Sequence, residues 1–218
     1  MRKIPFSPPD ISQAEIDEVV KVVKSGWITT GPETKLFESR IAEYCNVQRA
    51  VCLSSQTSCA ELTLRILGVG PGDEVIVPAP YWVSYPDMVK LADGTPVIVS
   101  AGIEQNFKIT GAQLEAAITP KTKMLILCSP SNPTGSVYTK EELKELADVL
   151  AKYPQVFVVA DEIYEHISYV GKHESIAQFE EIRERVIIIN GVSKAYAMTG
   201  WRIGYLAAAD WIVKGCNK

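Results

Sequence analysis

Seven short apolar runs constrain this chain more than any other feature: Ala50 to Ser54, Glu74 to Pro78, Thr95 to Ser100, Lys123 to Ser129, Val156 to Asp161, Val186 to Asn190 and Ile203 to Ala208. Several are apolar without alternation, as in Val156-Phe157-Val158-Val159 and Val186-Ile187-Ile188-Ile189. A strand with one wet face would alternate, so these strands call for cover on both faces. Amphipathic helical patterns fall between them at Ala60 to Leu67, Gln113 to Ile118, Lys140 to Lys152 and, shorter, around Ile176 to Glu184. Strand and helix in alternation predict a three-layer α/β/α fold with a mostly parallel seven-stranded sheet. Ligands of such open sheets sit beyond the carboxyl ends of the strands.

The first part of the chain is patterned differently. PFSPPD is proline-rich and reads as extended, and Ser12-Gln13-Ala14-Glu15 offers a capping box ahead of an apolar stripe of Ile16, Val19, Val20 and Val23. That helix ends near Gly26, and the turn residues Thr29-Thr30-Gly31-Pro32 lead to a second with Phe37, Ile41 and Tyr44 on one face. The expected division is a helical segment over residues 1–48 and a large domain over residues 49–218.

With 218 residues, 47% of them hydrophobic and 22% charged, the chain suits one soluble domain with a sizeable core. Its net charge of −4, with no long single-sign block, gives no reason to expect nucleic acid or an anionic membrane as partner. MRKIPFSPPD lacks an apolar segment behind its two positive charges, and no later run approaches the length of a membrane span, so a cytoplasmic protein is expected. The five cysteines, Cys45, Cys52, Cys59, Cys128 and Cys216, are scattered and contain no C-x-x-C pair. They read as reduced thiols rather than a disulfide frame or zinc site, with Cys52 and Cys128 as small core residues. His166 and His173 read as ordinary loop or surface residues, and no metal is expected.

Three segments carry chemistry: SPSNPTG (Ser129 to Gly135), ADEIYE (Ala160 to Glu165) and SKAYAMTGWRIGY (Ser193 to Tyr205), each just past an apolar run. Lys194 follows an apolar strand, where a partly dry pocket would favour the neutral amine that forms a Schiff base. Asp161 ends a strand that is otherwise wholly apolar, and a buried carboxylate there needs a partner. A protonated pyridine nitrogen would serve and would make the ring an electron sink; a helix cap or an arginine partner are the plainer readings. Asn132, stiffened by prolines on both sides, and Tyr164 can reach the oxygen of such a ring, or can be turn and half-buried aromatic residues. Gln56 and Thr57, between a strand and a helix, can cradle a phosphate, or Ser55 to Ser58 can be a plain N-cap. Ser193 and Arg202 flank Lys194 and suit the same anion, while Trp82 in PYWVSY can cover a ring, with Tyr81 and Tyr85 packing nearby. A nucleotide-binding reading fails for want of G-x-G-x-x-G after the first strand, since Gly68, Gly70 and Gly72 follow a helix.

SPSNPTG, ADEIYE and GVSKAYAMTGWRIGY, in that order and spacing, resemble the fold-type I pyridoxal-phosphate enzymes, and more narrowly the class I/II aminotransferases of the aspartate aminotransferase kind. The resemblance implies pyridoxal 5′-phosphate as cofactor and amino-group transfer between an amino acid and a 2-oxo acid. It implies that Lys194 forms the Schiff base and moves a proton at the substrate's α-carbon, and that Asp161 pairs with the pyridine nitrogen. Asn132 and Tyr164 would then meet the ring oxygen, Trp82 would stack on the ring, and Gln56, Thr57, Ser193 and Arg202 would hold the phosphate. A homodimer is implied as well.

Two departures qualify that expectation. The first eighty residues, with IPFSPPDISQAEIDEVVKVVKSGWITTGPETKLFESRIAEYCNVQRAVCLSS and LGVGPGDEVIVPA, resemble the DegT/DnrJ/EryC1 sugar aminotransferases, so the chain reads as a hybrid joined near Val77 to Pro80. A glycine often stands in the phosphate turn where Gln56 lies. The chain also stops at DWIVKGCNK, where the family continues into a small domain that supplies an arginine for the substrate carboxylate. Cofactor binding with weakened turnover is therefore expected. The alternative is a non-catalytic cofactor-binding or scaffold domain derived from an aminotransferase.

Overall fold

Local signals start most of the elements. The computed structural model describes residues 8–27 and 29–216, so Pro5 to Ser7 of the expected extended opening lie outside the described residues. Ser12 caps helix α1 (Gln13–Ser25) with the full capping box to Glu15, and Gly26 ends it at φ 76°, a left-handed conformation that suits glycine. Pro32 opens α2 (Pro32–Tyr44) at the position where its missing N–H costs nothing.

The sheet follows. Strand β1 (Arg49–Leu53) leads to α3 (Gln56–Ile66), β2 (Glu74–Ala79), α4 (Ser84–Leu91), β3 (Thr95–Ser100), α5 (Gly111–Ala117), β4 (Thr122–Cys128), α6 (Lys140–Ala151), β5 (Phe157–Asp161), β6 (Val186–Gly191), β7 (Gly204–Ala208) and α7 (Asp210–Gly215). The order across the sheet is β1-β7-β6-β5-β4-β2-β3. The pairs β2–β3, β2–β4, β4–β5 and β5–β6 are parallel, while β7 runs antiparallel to both β1 and β6. The mostly parallel seven-stranded sheet expected from the apolar runs is therefore present.

Both faces of the central strands are dry, for the reason their composition implied. Leu125, Leu127, Val158, Ala160 and Ile188 point to one core with Leu114 of α5 and Leu143, Leu146 and Leu150 of α6. Met124, Ile126, Val159, Ile187 and Ile189 point to the other with Leu64 of α3, Met88 and Val89 of α4, and Ile212 and Val213 of α7. Period-two alternation between two apolar layers gives the continuous hydrophobic runs.

Four local expectations shift. Helix α3 begins at Gln56 rather than Ala60, because the Ser55 hydroxyl accepts from the Ser58 N–H and starts the helix ahead of its apolar stripe. Helix α4 was not expected; its Pro86 falls in the first turn, where proline is tolerated, and the helix buries Tyr85, Met88 and Val89. The short helix around Ile176 to Glu184 is instead two 3₁₀ turns, Ile176–Gln178 and Arg183–Arg185. The apolar stripe of α1 buries none of its residues.

Replacing Leu146 by alanine, at a position with 0% exposure, should lower stability by about 2–5 kcal/mol. Val170→Ala, at an exposed loop position, should change it by less than about 0.5 kcal/mol. Urea unfolding of both variants reads the difference.

Candidate active site

Strand register brings the chemical segments together. Cys128 pairs with Asp161, Asp161 with Ile189, Gly191 with Gly204, and Leu53 with Gly204. The ends of β1, β4, β5 and β6 and the start of antiparallel β7 therefore lie along one edge. The loops leaving or entering at that edge carry Gln56, Asn132, Tyr164, Lys194 and Arg202. They meet in a cleft of about 180 Å³ lined by Ser55, Gln56, Thr57, Trp82, Tyr85, Asn132, Asp161, Ile163, Tyr164, Ser193, Lys194, Thr199 and Arg202. Gln56, Thr57, Trp82, Asn132, Asp161, Tyr164, Ser193, Lys194 and Arg202, singled out from the sequence, all line this one cleft, whereas Tyr81 does not.

Asp161 forms its floor. It is 2% exposed and closes β5. Burial pushes its carboxyl up to about 6, against hydrogen bonds from Tyr85, the Ile163 N–H and Gln56 that favour the ionised form. The Tyr85 hydroxyl and Gln56 Nε2 each stand 2.5 Å from Asp161 Oδ2, and the Ile163 N–H donates to Oδ1 at 3.2 Å. Burial, then the Asp161 charge, holds the Tyr85 phenol well above its ordinary value, so it remains a donor.

The opposite wall is more open. Lys194 is exposed, although a partly dry pocket was expected from the strand before it. The strand is dry to Gly191, but the following turn carries Lys194 out of the core, and its Nζ has no hydrogen-bond or ion-pair partner among the described residues. Arg202 lies at φ 56°, an unusual conformation for a residue with a Cβ, and its Nη1 donates to the Thr199 carbonyl at 3.0 Å. Thr199 Oγ1 in turn donates to the Ser193 carbonyl at 3.0 Å, which ties the two flanks of Lys194 together.

At the β1 end, Ser55 satisfies the Ser58 N–H and leaves the N–H groups of Gln56 and Thr57 without partners among the described residues. A helix start with free N–H groups attracts an anion. Gly204 is required beside it, because a Cβ there would stand 2.2 Å from the Ser55 carbonyl carbon and 2.3 Å from the Gln56 nitrogen. Across the cleft, Asn132 Nδ2 donates to the Tyr164 hydroxyl at 3.4 Å. Trp82 meets Tyr85 edge to face, with ring centroids 5.5 Å apart.

Sequence reasoning missed the main role of Tyr85, which it held only as a packing residue. Its place one helical turn after Trp82 was the available signal, but helix α4 was not foreseen. The side chain of Gln56, expected toward an anion, turns to Asp161. His173 is not a surface residue: its side chain is 11% exposed and Nε2 stands 3.2 Å from Glu162 Oε2, out of line for a hydrogen bond. All five cysteines are free, and Cys59 rather than Cys52 or Cys128 is the fully buried one. No helix among the described residues is long and apolar enough to cross a membrane.

A sequence model of the family described as aminotransferase class I and II matches residues 5–218. The match runs unbroken through Val77 to Pro80, where a join to a second branch was expected, and lends that join no support. The aspartate/prephenate aminotransferase of Cereibacter sphaeroides is 59% identical over 148 residues, 67% of this chain and 37% of that protein. The bifunctional aspartate aminotransferase and glutamate/aspartate-prephenate aminotransferase of Petunia hybrida is 45% identical over 185 residues, 84% of this chain and 38% of that protein. The matched stretches cover 37% and 38% of these curated relatives, so the chain spans only part of their length. Among solved structures, the aspartate aminotransferase of Rhizobium meliloti superposes with a TM-score of 0.85 at 32% identity, covering 97% of this chain and 56% of that one.

The raised Asp161 carboxyl predicts a pH signature. A folded value of about 6 against an ordinary 3.8 means that the folded state holds the proton more tightly. The associated stability is present below about pH 4 and lost as pH rises through 6. The stability of Asp161→Asn relative to the parent chain should therefore grow between pH 4 and pH 7 by about 3 kcal/mol, read by urea unfolding across that range.

Proposed function

The chain belongs to the aminotransferase class I and II family, and from that premise we propose that it is the cofactor-binding part of a pyridoxal-phosphate-dependent aminotransferase, moving an amino group between an amino acid and a 2-oxo acid. The observation that carries the reading is the pairing, within one cleft, of a buried carboxylate that lacks a cationic partner with a lysine whose amine is unengaged. The residues present fit the cofactor. Asp161 suits a protonated ring nitrogen, the free N–H groups at the start of α3 with Ser193 and Arg202 suit a phosphate, and Trp82 offers a flat apolar wall.

When bound, the cofactor supplies an electron sink for charge that develops at the substrate's α-carbon. Asp161 keeps the ring nitrogen protonated, because a carboxylate in a dry site stabilises a cation beside it far more than water would. Asn132 and Tyr164, which follow β4 and β5, would donate to the ring oxygen. Lys194 would hold the cofactor through Nζ, and the same amine would be placed to move a proton at the substrate's α-carbon as general base and acid. The names of the relatives offer aspartate, glutamate and prephenate as a starting set of substrates.

A homodimer and a cytoplasmic setting belong to the same reading. Ile16, Val19, Val20 and Val23 of α1 are exposed at 42% to 68% and form the kind of apolar stripe that a second copy would cover. The unpaired cysteines suit a reducing compartment. The same reading divides the chain into a helical segment over residues 1–48 and a large domain over residues 49–218, in keeping with an element order of two helices before the first strand.

Borohydride treatment of the protein after incubation with pyridoxal 5′-phosphate should fix the label on Lys194, and Lys194→Ala should abolish both the label and amino transfer from L-aspartate to 2-oxoglutarate. A label elsewhere would sink the reading, and a label on Lys194 without transfer would favour a binding domain over an enzyme. Val19→Lys combined with Val23→Lys should shift the sedimentation coefficient toward that of a monomer.

A further inference from the structure

The Gln56 side chain stands where the proposed cofactor would engage Asp161. Oδ2 of that carboxylate accepts from Gln56 Nε2 and from the Tyr85 hydroxyl, both at 2.5 Å, while Oδ1 accepts from the Ile163 N–H. A carboxylate oxygen has two lone-pair directions, so Oδ2 is fully taken. Oδ1 keeps one free direction, but a ring nitrogen that approaches Oδ2, the oxygen reached by the cleft-lining Gln56 and Tyr85, displaces one of these donors. Tyr85 is 2% exposed and held by Trp82 and the core on α4, so its hydroxyl cannot give up Asp161 without becoming a buried donor that has lost this partner. The Ile163 donor is backbone.

Gln56 is the donor able to leave. Its side chain lines the cleft and is only partly buried, so rotation about its side-chain bonds opens the carboxylate without moving the core. Its backbone, in contrast, is pinned. Gly204 packs so closely against Ser55 and Gln56 that a Cβ there would approach the Gln56 nitrogen to 2.3 Å, and the Ser55 cap holds the helix start in place. The free N–H groups of Gln56 and Thr57 thus stay aimed at an anion while the Gln56 amide swings.

We propose that Gln56 is an internal competitor for the cofactor's ring nitrogen at Asp161 Oδ2: its amide holds that oxygen in the cofactor-free protein and gives it up on binding, so residue 56 tunes cofactor affinity. The inference rests on the cofactor reading above and goes beyond it. The phosphate role expected for this side chain from the sequence has the opposite sign, because a phosphate ligand would strengthen binding. The ring nitrogen still wins, since a protonated donor makes a stronger bond to a carboxylate than an amide does. Its advantage is reduced by the bond that Gln56 gives up, a factor of about ten to a hundred for a hydrogen bond to an ionised group.

Affinity for pyridoxal 5′-phosphate, thermal midpoints with and without it, and competition by inorganic phosphate are to be measured on the parent chain, Gln56→Ala and Gln56→Gly. Both variants should bind the cofactor about tenfold more tightly. Without cofactor they should melt below the parent chain, because Asp161 has lost a donor, and their midpoints should rise further on cofactor addition. Competition by inorganic phosphate should be unchanged, since the backbone N–H groups remain. Unchanged or weaker cofactor binding, with Lys194 still labelled after borohydride, overturns this proposal alone. No labelling of Lys194 in the parent chain or the variants overturns the cofactor reading and this proposal with it.

Discussion

A carboxylate at the dry end of a parallel strand is the constraint around which the cleft is organised. Asp161 closes β5 between two apolar layers, and burial raises its carboxyl to about 6 even with three donors on it. Each donor comes from a different part of the chain: Gln56 from the start of α3, Tyr85 from α4, and Ile163 from the loop after β5. Satisfying one charge therefore ties the two sides of the sheet edge together. Without such donors an ionised group in this place would cost several kcal/mol.

The same edge explains why residues far apart in the chain act as one site. β1 lies at the opposite side of the sheet from β2, which follows it in the chain, and β7 turns antiparallel to fill the gap between β1 and β6. That arrangement sets the start of α3, with its free N–H groups, beside the β6–β7 loop that carries Lys194 and Arg202. Gly204 is the contact residue, since any side chain there would drive β7 away from Ser55. Packing, charge and chemistry meet at one glycine and one aspartate.

The strand runs, the capping box of α1 and the three chemical loops are legible because each rests on local information. Ser12 with Glu15 is read directly as a capping box, and its hydrogen bonds match the pattern. Tyr85 was less legible, since its partner is Asp161 and no local pattern links residues 76 positions apart. His173 illustrates the same limit, because its burial comes from Glu162 and the surrounding loop rather than from its own polar neighbours. Gln56 could be placed at a helix start from its sequence, but nothing local says which way a flexible amide turns.

Composition and periodicity by themselves determined the seven strands, the dry sheet covered on both faces, and the residue types available at the strand ends, because burial and helix capping act over a few neighbouring residues. Tertiary structure decided the strand order, the antiparallel seventh strand, the exposure of Lys194 and the three donors that converge on Asp161. Those depend on register between strands and on which side chain arrives beside a buried charge, and such encounters are fixed only when distant segments share one edge of the sheet.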